Sequence, residues 1–84
     1  MNIIEVIPKD NFKLYIKAVD GREGLFDVKP YLGSEVFDLL KNEGEFKKIY
    51  NGGYFIEWDC GADFSADTIE ARWENISENE EPAV

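Results

Sequence analysis

The strongest structural signal in this chain is residues 12–28, which read FKLYIKAVDGREGLFDV. In its first half, apolar and polar side chains alternate, and this period of two is typical of a strand that buries one face. Asp20 and Gly21 then form a dipeptide that tolerates positive φ at a two-residue hairpin turn. Leu25, Phe26 and Val28 follow, so the stretch predicts an antiparallel β-hairpin.

Further strands are predicted on both sides of this hairpin. A β-branched run at residues 3–7 predicts a first strand that stops at Pro8, because proline has no N–H for a strand ladder. Residues 46–50 and 54–58 are rich in aromatic and β-branched side chains, and Asn51-Gly52-Gly53 lies between them as a turn signal. These residues predict a second hairpin.

Two helices are predicted, each beginning after a serine. Ser34 is placed as the N-cap of a helix that runs to about residue 43 and ends at Gly44. The apolar stripe of this helix consists of Val36, Phe37, Leu39 and Leu40. Ser65 caps a second helix whose buried face the pattern leaves ambiguous. The order β-β-β-α-β-β-α predicts an α+β fold in which antiparallel hairpins pack on a short helix.

The length of 84 residues allows one domain, and charge is distributed unevenly along it. Residues 1–50 carry nine acids and eight bases, whereas residues 51–84 carry nine acids and a single base. We expect one domain over residues 1–76. An acidic tail, residues 77–84, lacks apolar periodicity and is expected to be disordered.

The composition argues against several classes of function. The chain has no histidine, so Ser/His/Asp and Cys/His catalysis are excluded, and we expect a protein that is not an enzyme and needs no cofactor. With 18 acids against 9 bases, it is a poor match for nucleic-acid phosphates. A single cysteine, and no signal peptide or run long enough to span a membrane, lead us to expect a cytoplasmic protein. The sequence leaves the oligomeric state open, because strand edges could be paired or covered.

Two motifs carry a resemblance to a known family. One strand ends in Phe26-Asp27-Val28-Lys29-Pro30, and a later one reads Ile56-Glu57-Trp58-Asp59-Cys60-Gly61-Ala62-Asp63-Phe64. From about residue 15 to residue 69 the chain resembles the small bacterial family catalogued as domain of unknown function 2442, and Trp-x-x-Gly-x-Asp is the most specific part. The resemblance implies a small α+β protein without an assigned reaction. Some members resemble one half of a toxin–antitoxin-like pair.

The same motif has a structural interpretation. Trp58 would end a strand and pack across the core, and Gly61 would allow a tight turn with positive φ. Asp63 would accept backbone N–H bonds that fix the loop before Ser65.

The acidic end of the chain is the candidate functional site. A surface of one charge sign attracts a partner of the opposite sign, and salt screens the attraction. We therefore predict a non-enzymatic protein-interaction module that binds a protein with a basic surface. The family resemblance implies an antitoxin-like version, and a sharper variant is an acidic inhibitor that mimics nucleic-acid charge. The predicted contact residues are Trp58, Asp59, Asp63, Asp67, Glu70, Trp73 and Glu74. The alternative explanation of this charge is solubility alone.

Another class of function uses some of the same acids. Asp59, Asp63 and Asp67 fall four residues apart and could supply oxygen ligands for Mg²⁺ or Ca²⁺, although the segment lacks the spacing of an EF-hand loop. The chain would then be a small metal-dependent hydrolase, or a regulatory domain that binds a ligand through this group. We assign no catalytic residue or metal ligand on this basis.

Overall fold

A computed structural model describes residues 1–76 and shows an α+β fold, as predicted. Within these residues, the strands are β1 (Ile3–Lys9), β2 (Lys13–Ala18), β3 (Glu23–Asp27), β4 (Ile49–Asn51), β5 (Phe55–Trp58), β6 (Asp63–Ser65) and β7 (Glu74–Asn75). The helices are α1 (Glu43–Phe46) and α2 (Ala66–Arg72), and 3₁₀ helices span Asp10–Phe12, Lys29–Tyr31 and Glu35–Lys41. The predicted tail, residues 77–84, lies outside the described residues.

The strands form two antiparallel sheets that share one core. The four-stranded sheet has the order β1-β2-β3-β7, and the three-stranded sheet has the order β4-β5-β6. The sheets meet where the Ile3 N–H donates to the Gly53 carbonyl oxygen at 2.7 Å. Beside this contact, Asn51 Nδ2 donates to the Ile3 carbonyl oxygen at 2.9 Å. Side chains from both sheets therefore enter the same apolar cluster.

The first predicted hairpin is confirmed as β2 and β3, but its turn is longer than predicted. Every second side chain of β2 is buried, as the alternation predicts. The loop holds three residues, 19–21, because the Ala18 N–H donates to the Arg22 carbonyl oxygen at 2.9 Å. Gly21, with a φ of +95°, takes the last loop position, where this type of turn needs a left-handed residue.

β1 is longer than predicted because it continues through Pro8 to Lys9. Pro8 lies opposite Leu14 of β2. Since β1 is the edge of the four-stranded sheet, a residue without an N–H is tolerated there. The prediction that this strand stops at Pro8 is wrong.

The predicted first α-helix is wrong in type. Glu35–Lys41 is a 3₁₀ helix, and the Ser34 side chain makes no capping hydrogen bond. Residues i and i+3 share one side of a 3₁₀ helix, which places the half-buried Phe37 with the buried Leu40. The other two apolar residues of the segment are exposed. The four apolar residues form two i, i+3 pairs. This spacing fits the period of a 3₁₀ helix as well as that of an α-helix, so the pattern did not distinguish the two types of helix.

The short helix α1 covers the predicted end of the first helix and the first residue of the strand predicted at residues 46–50. Asn42 caps α1, since its Oδ1 accepts a hydrogen bond from the Glu45 N–H at 3.1 Å. Gly44, predicted to end the preceding helix, lies inside α1. Phe46 is a buried residue of α1, and β4 begins only at Ile49. The second predicted hairpin is confirmed as β4 and β5 with this later start.

Two short strands lie where the sequence predicts a loop and the end of a helix. β6 pairs with β5 through a turn that repeats the first one: the Trp58 N–H donates to the Ala62 carbonyl oxygen at 2.8 Å, and Gly61 has a φ of +98°. β7 pairs with Gly24 and Leu25 of β3. Strands of two or three residues are too short for an alternating pattern to be recognised.

Helix α2 is confirmed, together with its cap. Ser65 Oγ accepts a hydrogen bond from the Thr68 N–H at 3.1 Å. The buried residues of α2 are Ala66 and Ile69, which settles the face that the pattern left ambiguous.

The core between the sheets is organised around Phe64. The Phe64 ring from β6 lies 4.9 Å from the Phe26 ring of β3, measured between centroids. It also lies 4.9 Å from Tyr31 and 4.8 Å from Phe37. This cluster joins the two sheets and the 3₁₀ segments between them.

Candidate interaction surface

Trp58, one of the predicted contact residues, lies in the core. Its side chain is 1% exposed. Nε1–H donates to the Phe46 carbonyl oxygen at 2.8 Å, and the two rings pack with their centroids 5.9 Å apart. Trp58 therefore holds β5 against α1, as the structural interpretation predicts, and has almost no surface to offer a partner.

Two more predicted contact residues, Glu70 and Trp73, interact with Arg22. Arg22 Nη1 donates to Glu70 Oε2 at 2.8 Å, and Arg22 Nε donates to Asp20 Oδ2 at 2.9 Å. The guanidinium carbon lies 5.9 Å from the centroid of the Trp73 ring, within range of a cation–π interaction. The Met1 amino group also lies 3.5 Å from Glu70 Oε1. These contacts tie the β2–β3 turn to α2.

The Arg22–Glu70 pair predicts a pH-dependent contribution to stability. The hydrogen bond from the Arg22 guanidinium lowers the pKa of Glu70 below its ordinary value. Ionised Glu70 therefore stabilises the fold above the unfolded-state pKa, and this contribution is lost as the pH falls through the lowered pKa. We expect Glu70→Gln to reduce the free energy of unfolding at neutral pH, and the difference from the wild type to vanish in acid.

Urea unfolding at neutral pH and at a pH below the lowered pKa measures this difference. Glu35→Gln is the control, because Glu35 is exposed and makes no ion pair within residues 1–76. An equal loss of stability at both pH values in Glu70→Gln would contradict the assigned role of the ion pair.

The predicted acids Asp59, Asp63 and Asp67 are exposed. Asp59 lies in the β5–β6 turn, Asp63 begins β6, and Asp67 lies in the first turn of α2. Glu57 of β5 is exposed as well and lies opposite Asp63. We call Glu57, Asp59, Asp63 and Asp67 the acidic surface. No member forms an ion pair with another residue of the described part of the chain.

Glu57 is absent from the predicted contacts, although a sequence signal was available. It lies between Ile56 and Trp58, whose burial in a strand directs Glu57 outward. Its proximity to Asp63 depends on β6, which the sequence did not predict. The Asp63 side chain makes no hydrogen bond within residues 1–76, so the expectation that it fixes the loop is wrong.

Glu74 belongs to a different part of the molecule. It is exposed on β7, opposite Leu25, in the four-stranded sheet. Since Trp58 is buried and Glu74 lies in a different sheet from Asp63, the seven predicted contact residues do not form one exposed face.

The described residues do not assemble the metal site that the alternative function requires. Within residues 1–76, no three His, Cys, Asp or Glu side chains are grouped so that they could hold a metal ion. Asp59, Asp63 and Asp67 are exposed on a turn, a strand and a helix. Although these three aspartates are evenly spaced along the chain, they do not form a shared metal site.

A cleft of about 150 Å³ lies between the β1–β2 turn and α1. Its lining residues are Pro8, Lys9, Asp10, Asn11, Phe12, Glu43, Phe46 and Lys47. The cleft contains none of the three aspartates proposed for ligand binding. The described part of the chain also has no helix long and apolar enough to cross a membrane.

A family model matches residues 3–75, and its description is "Protein of unknown function (DUF2442)". The chain belongs to this family. The match confirms the resemblance and extends it to β1 and β7. In this DUF2442 domain the Trp-x-x-Gly-x-Asp motif forms the β5–β6 hairpin, with Trp58 in the core, Gly61 in the left-handed region and Asp63 exposed. Comparison with curated proteins and with solved structures gave no match.

Proposed function

We propose that this DUF2442 domain is a non-enzymatic protein-interaction module of the cytoplasm, whose acidic surface binds a partner protein with a basic surface. The observation that supports the proposal is the position of Glu57 directly opposite Asp63 on the neighbouring strand. Like charges directly opposite each other on neighbouring strands destabilise a sheet. No basic side chain of residues 1–76 forms an ion pair with either carboxylate. A cation supplied by a partner would remove this repulsion.

The distribution of charge along the chain supports the same proposal. Nine of the 18 acids lie after residue 50, where Arg72 is the single base. A surface of this kind raises the rate at which an oppositely charged protein associates, and salt screens the effect. The family resemblance suggests an antitoxin-like form of this interaction. The concentration of acids suggests a sharper variant, in which the carboxylates occupy a groove of the basic partner that would otherwise bind nucleic acid.

Salt-dependent capture with charge-matched variants tests the proposal. The immobilised protein is expected to retain a basic partner at low ionic strength and to release it as salt rises. A triple variant that removes charge from the acidic surface, Asp59→Asn, Asp63→Asn and Asp67→Asn, is expected to bind about tenfold more weakly, since each charge pair contributes a modest amount.

The control removes the same amount of charge from other exposed positions. It carries Glu5→Gln, Glu35→Gln and Glu43→Gln, whose native side chains are exposed and without ion pairs in the described residues. The control should keep most of the binding. Equal losses in both triple variants would show that net charge alone acts, and binding that is insensitive to salt would rule out an electrostatic surface.

A further inference from the structure

We propose that the outer face of the three-stranded sheet binds an arginine side chain of the partner, with the guanidinium stacked on Tyr50 and hydrogen-bonded to Glu57 and Asp63. This inference rests on the proposed function, because it names the chemical group that part of the acidic surface recognises. It also depends on the exposed ring of Tyr50, which electrostatic binding to the acidic surface does not need.

The three residues form a row across the sheet. Tyr50 of β4 lies opposite Glu57 of β5, and Glu57 lies opposite Asp63 of β6. All three side chains are exposed, so they point away from the core. Directly opposed residues have Cβ atoms about 4.5–5.5 Å apart, so the row spans roughly 10 Å. One long side chain can contact the ring at one end and the carboxylates beside it.

The face is aromatic as well as acidic, and the described residues leave it open. Tyr50 is 58% exposed and Phe55 is 42% exposed. Phe55 precedes Glu57 by two residues on β5 and therefore lies on the same face. Its ring covers Gly52, where a Cβ atom would collide with it. The exposed rings show that no element of residues 1–76 covers this side of the sheet.

An arginine fits this row better than a lysine does. The guanidinium is planar, stacks on aromatic rings, and presents its N–H donors in a fork that matches carboxylate oxygens. A lysine ammonium is a compact and more strongly hydrated charge, and it gains less from a ring. The row supplies a ring at Tyr50 and acceptors at Glu57 and Asp63, which is the combination that a guanidinium uses.

The chain itself offers no equivalent occupant. Residues 77–84 contain three acids and no base, so their charge does not complement the face. The chain has two arginines, and Arg22 is already bonded to Asp20 and Glu70. A second copy could therefore contribute only Arg72. An arginine-bearing partner is the occupant that the charges favour.

Two peptides of equal charge, acetylated hexa-arginine and hexa-lysine, test this inference on the full chain at low ionic strength. Chemical shifts of the isotope-labelled protein report both the affinity and the residues affected. We expect the arginine peptide to bind about threefold to fivefold more tightly, which corresponds to an exposed cation–π contact. The shifts should concentrate at Tyr50, Glu57 and Asp63.

Matched variants separate the ring from the charges. Tyr50→Leu is expected to abolish the preference for arginine, because it weakens the binding of hexa-arginine more than that of hexa-lysine. Tyr54→Leu is the control, because Tyr54 is 71% exposed but lies outside the row. Glu57→Gln and Asp63→Asn should weaken the binding of both peptides. Circular dichroism checks that each variant folds, which is expected because the altered side chains are exposed.

The outcomes distinguish this inference from the proposed function. Equal affinities for the two peptides, or a preference that survives Tyr50→Leu, would overturn arginine recognition while leaving salt-sensitive binding of a basic partner intact. If neither peptide bound, both the inference and the proposed function would be overturned. Self-association that is lost in Tyr50→Leu would identify a second copy as the occupant and would also overturn the inference.

Discussion

Trp58→Ala is expected to remove most of the free energy of unfolding of the protein. Removing a fully buried tryptophan costs about 3–5 kcal/mol, since packing is lost and a cavity remains. A domain of this size is expected to have a free energy of unfolding near the low end of the usual range, roughly 5 kcal/mol. The Trp58 ring is 1% exposed and packs on both Phe46 and Phe64. Urea unfolding followed by far-ultraviolet circular dichroism measures the loss.

Two variants show which property of Trp58 matters. Trp58→Phe keeps most of the ring but leaves the Phe46 carbonyl without its 2.8 Å donor, so we expect a loss of about 1–3 kcal/mol. Trp73→Ala, at a half-buried position, should cost less than Trp58→Ala. If Trp58→Ala and Trp73→Ala were equally stable, the assignment of Trp58 to the core would be wrong.

Phe64→Ala is expected to have the second largest effect, because its ring joins the two sheets. Phe64 is 7% exposed and lies among aromatic rings of β3, β5 and the 3₁₀ segments. Loss of a buried phenylalanine costs about 3–5 kcal/mol. Thermal unfolding should shift strongly downward. Near-ultraviolet circular dichroism, which reports the packing of aromatic side chains, should lose most of its signal.

Phe55→Ala is the matched control for this prediction. Phe55 lies on the opposite face of the same sheet and is 42% exposed. Its removal should change the free energy of unfolding by less than about 1 kcal/mol, as is usual for surface positions. If Phe64→Ala lowered the stability of the three-stranded sheet alone, as read by amide hydrogen exchange, the cluster would not be the link between the sheets.

The predictions that succeeded rest on local signals. The alternation in β2 and the Ser65 cap depend on residues that are neighbours along the chain, and the structure confirms both. Gly61 has the positive φ predicted from its place in a turn. In each case the free energy that selects the conformation comes from contacts within a few residues.

The predictions that failed involve contacts between distant segments. Pro8 is tolerated in β1 because the strand lies at the edge of its sheet. The position of a strand within a sheet cannot be predicted from its local sequence. The segment 35–41 became a 3₁₀ helix with Phe37 against the Phe64 ring. The ion pair between Glu70 and Arg22, 48 residues apart, was not predicted. No local pattern contains such a pairing.

Composition and local pattern were enough to establish the α+β class, the main hairpin and the concentration of acid after residue 50. They did not place Tyr50, Glu57 and Asp63 side by side, because that row depends on the register of three strands. Register is chosen by which faces are buried across the whole sheet, and a slip of one residue would send each of these side chains to the other face. The tertiary structure therefore decided where the charge meets an aromatic ring.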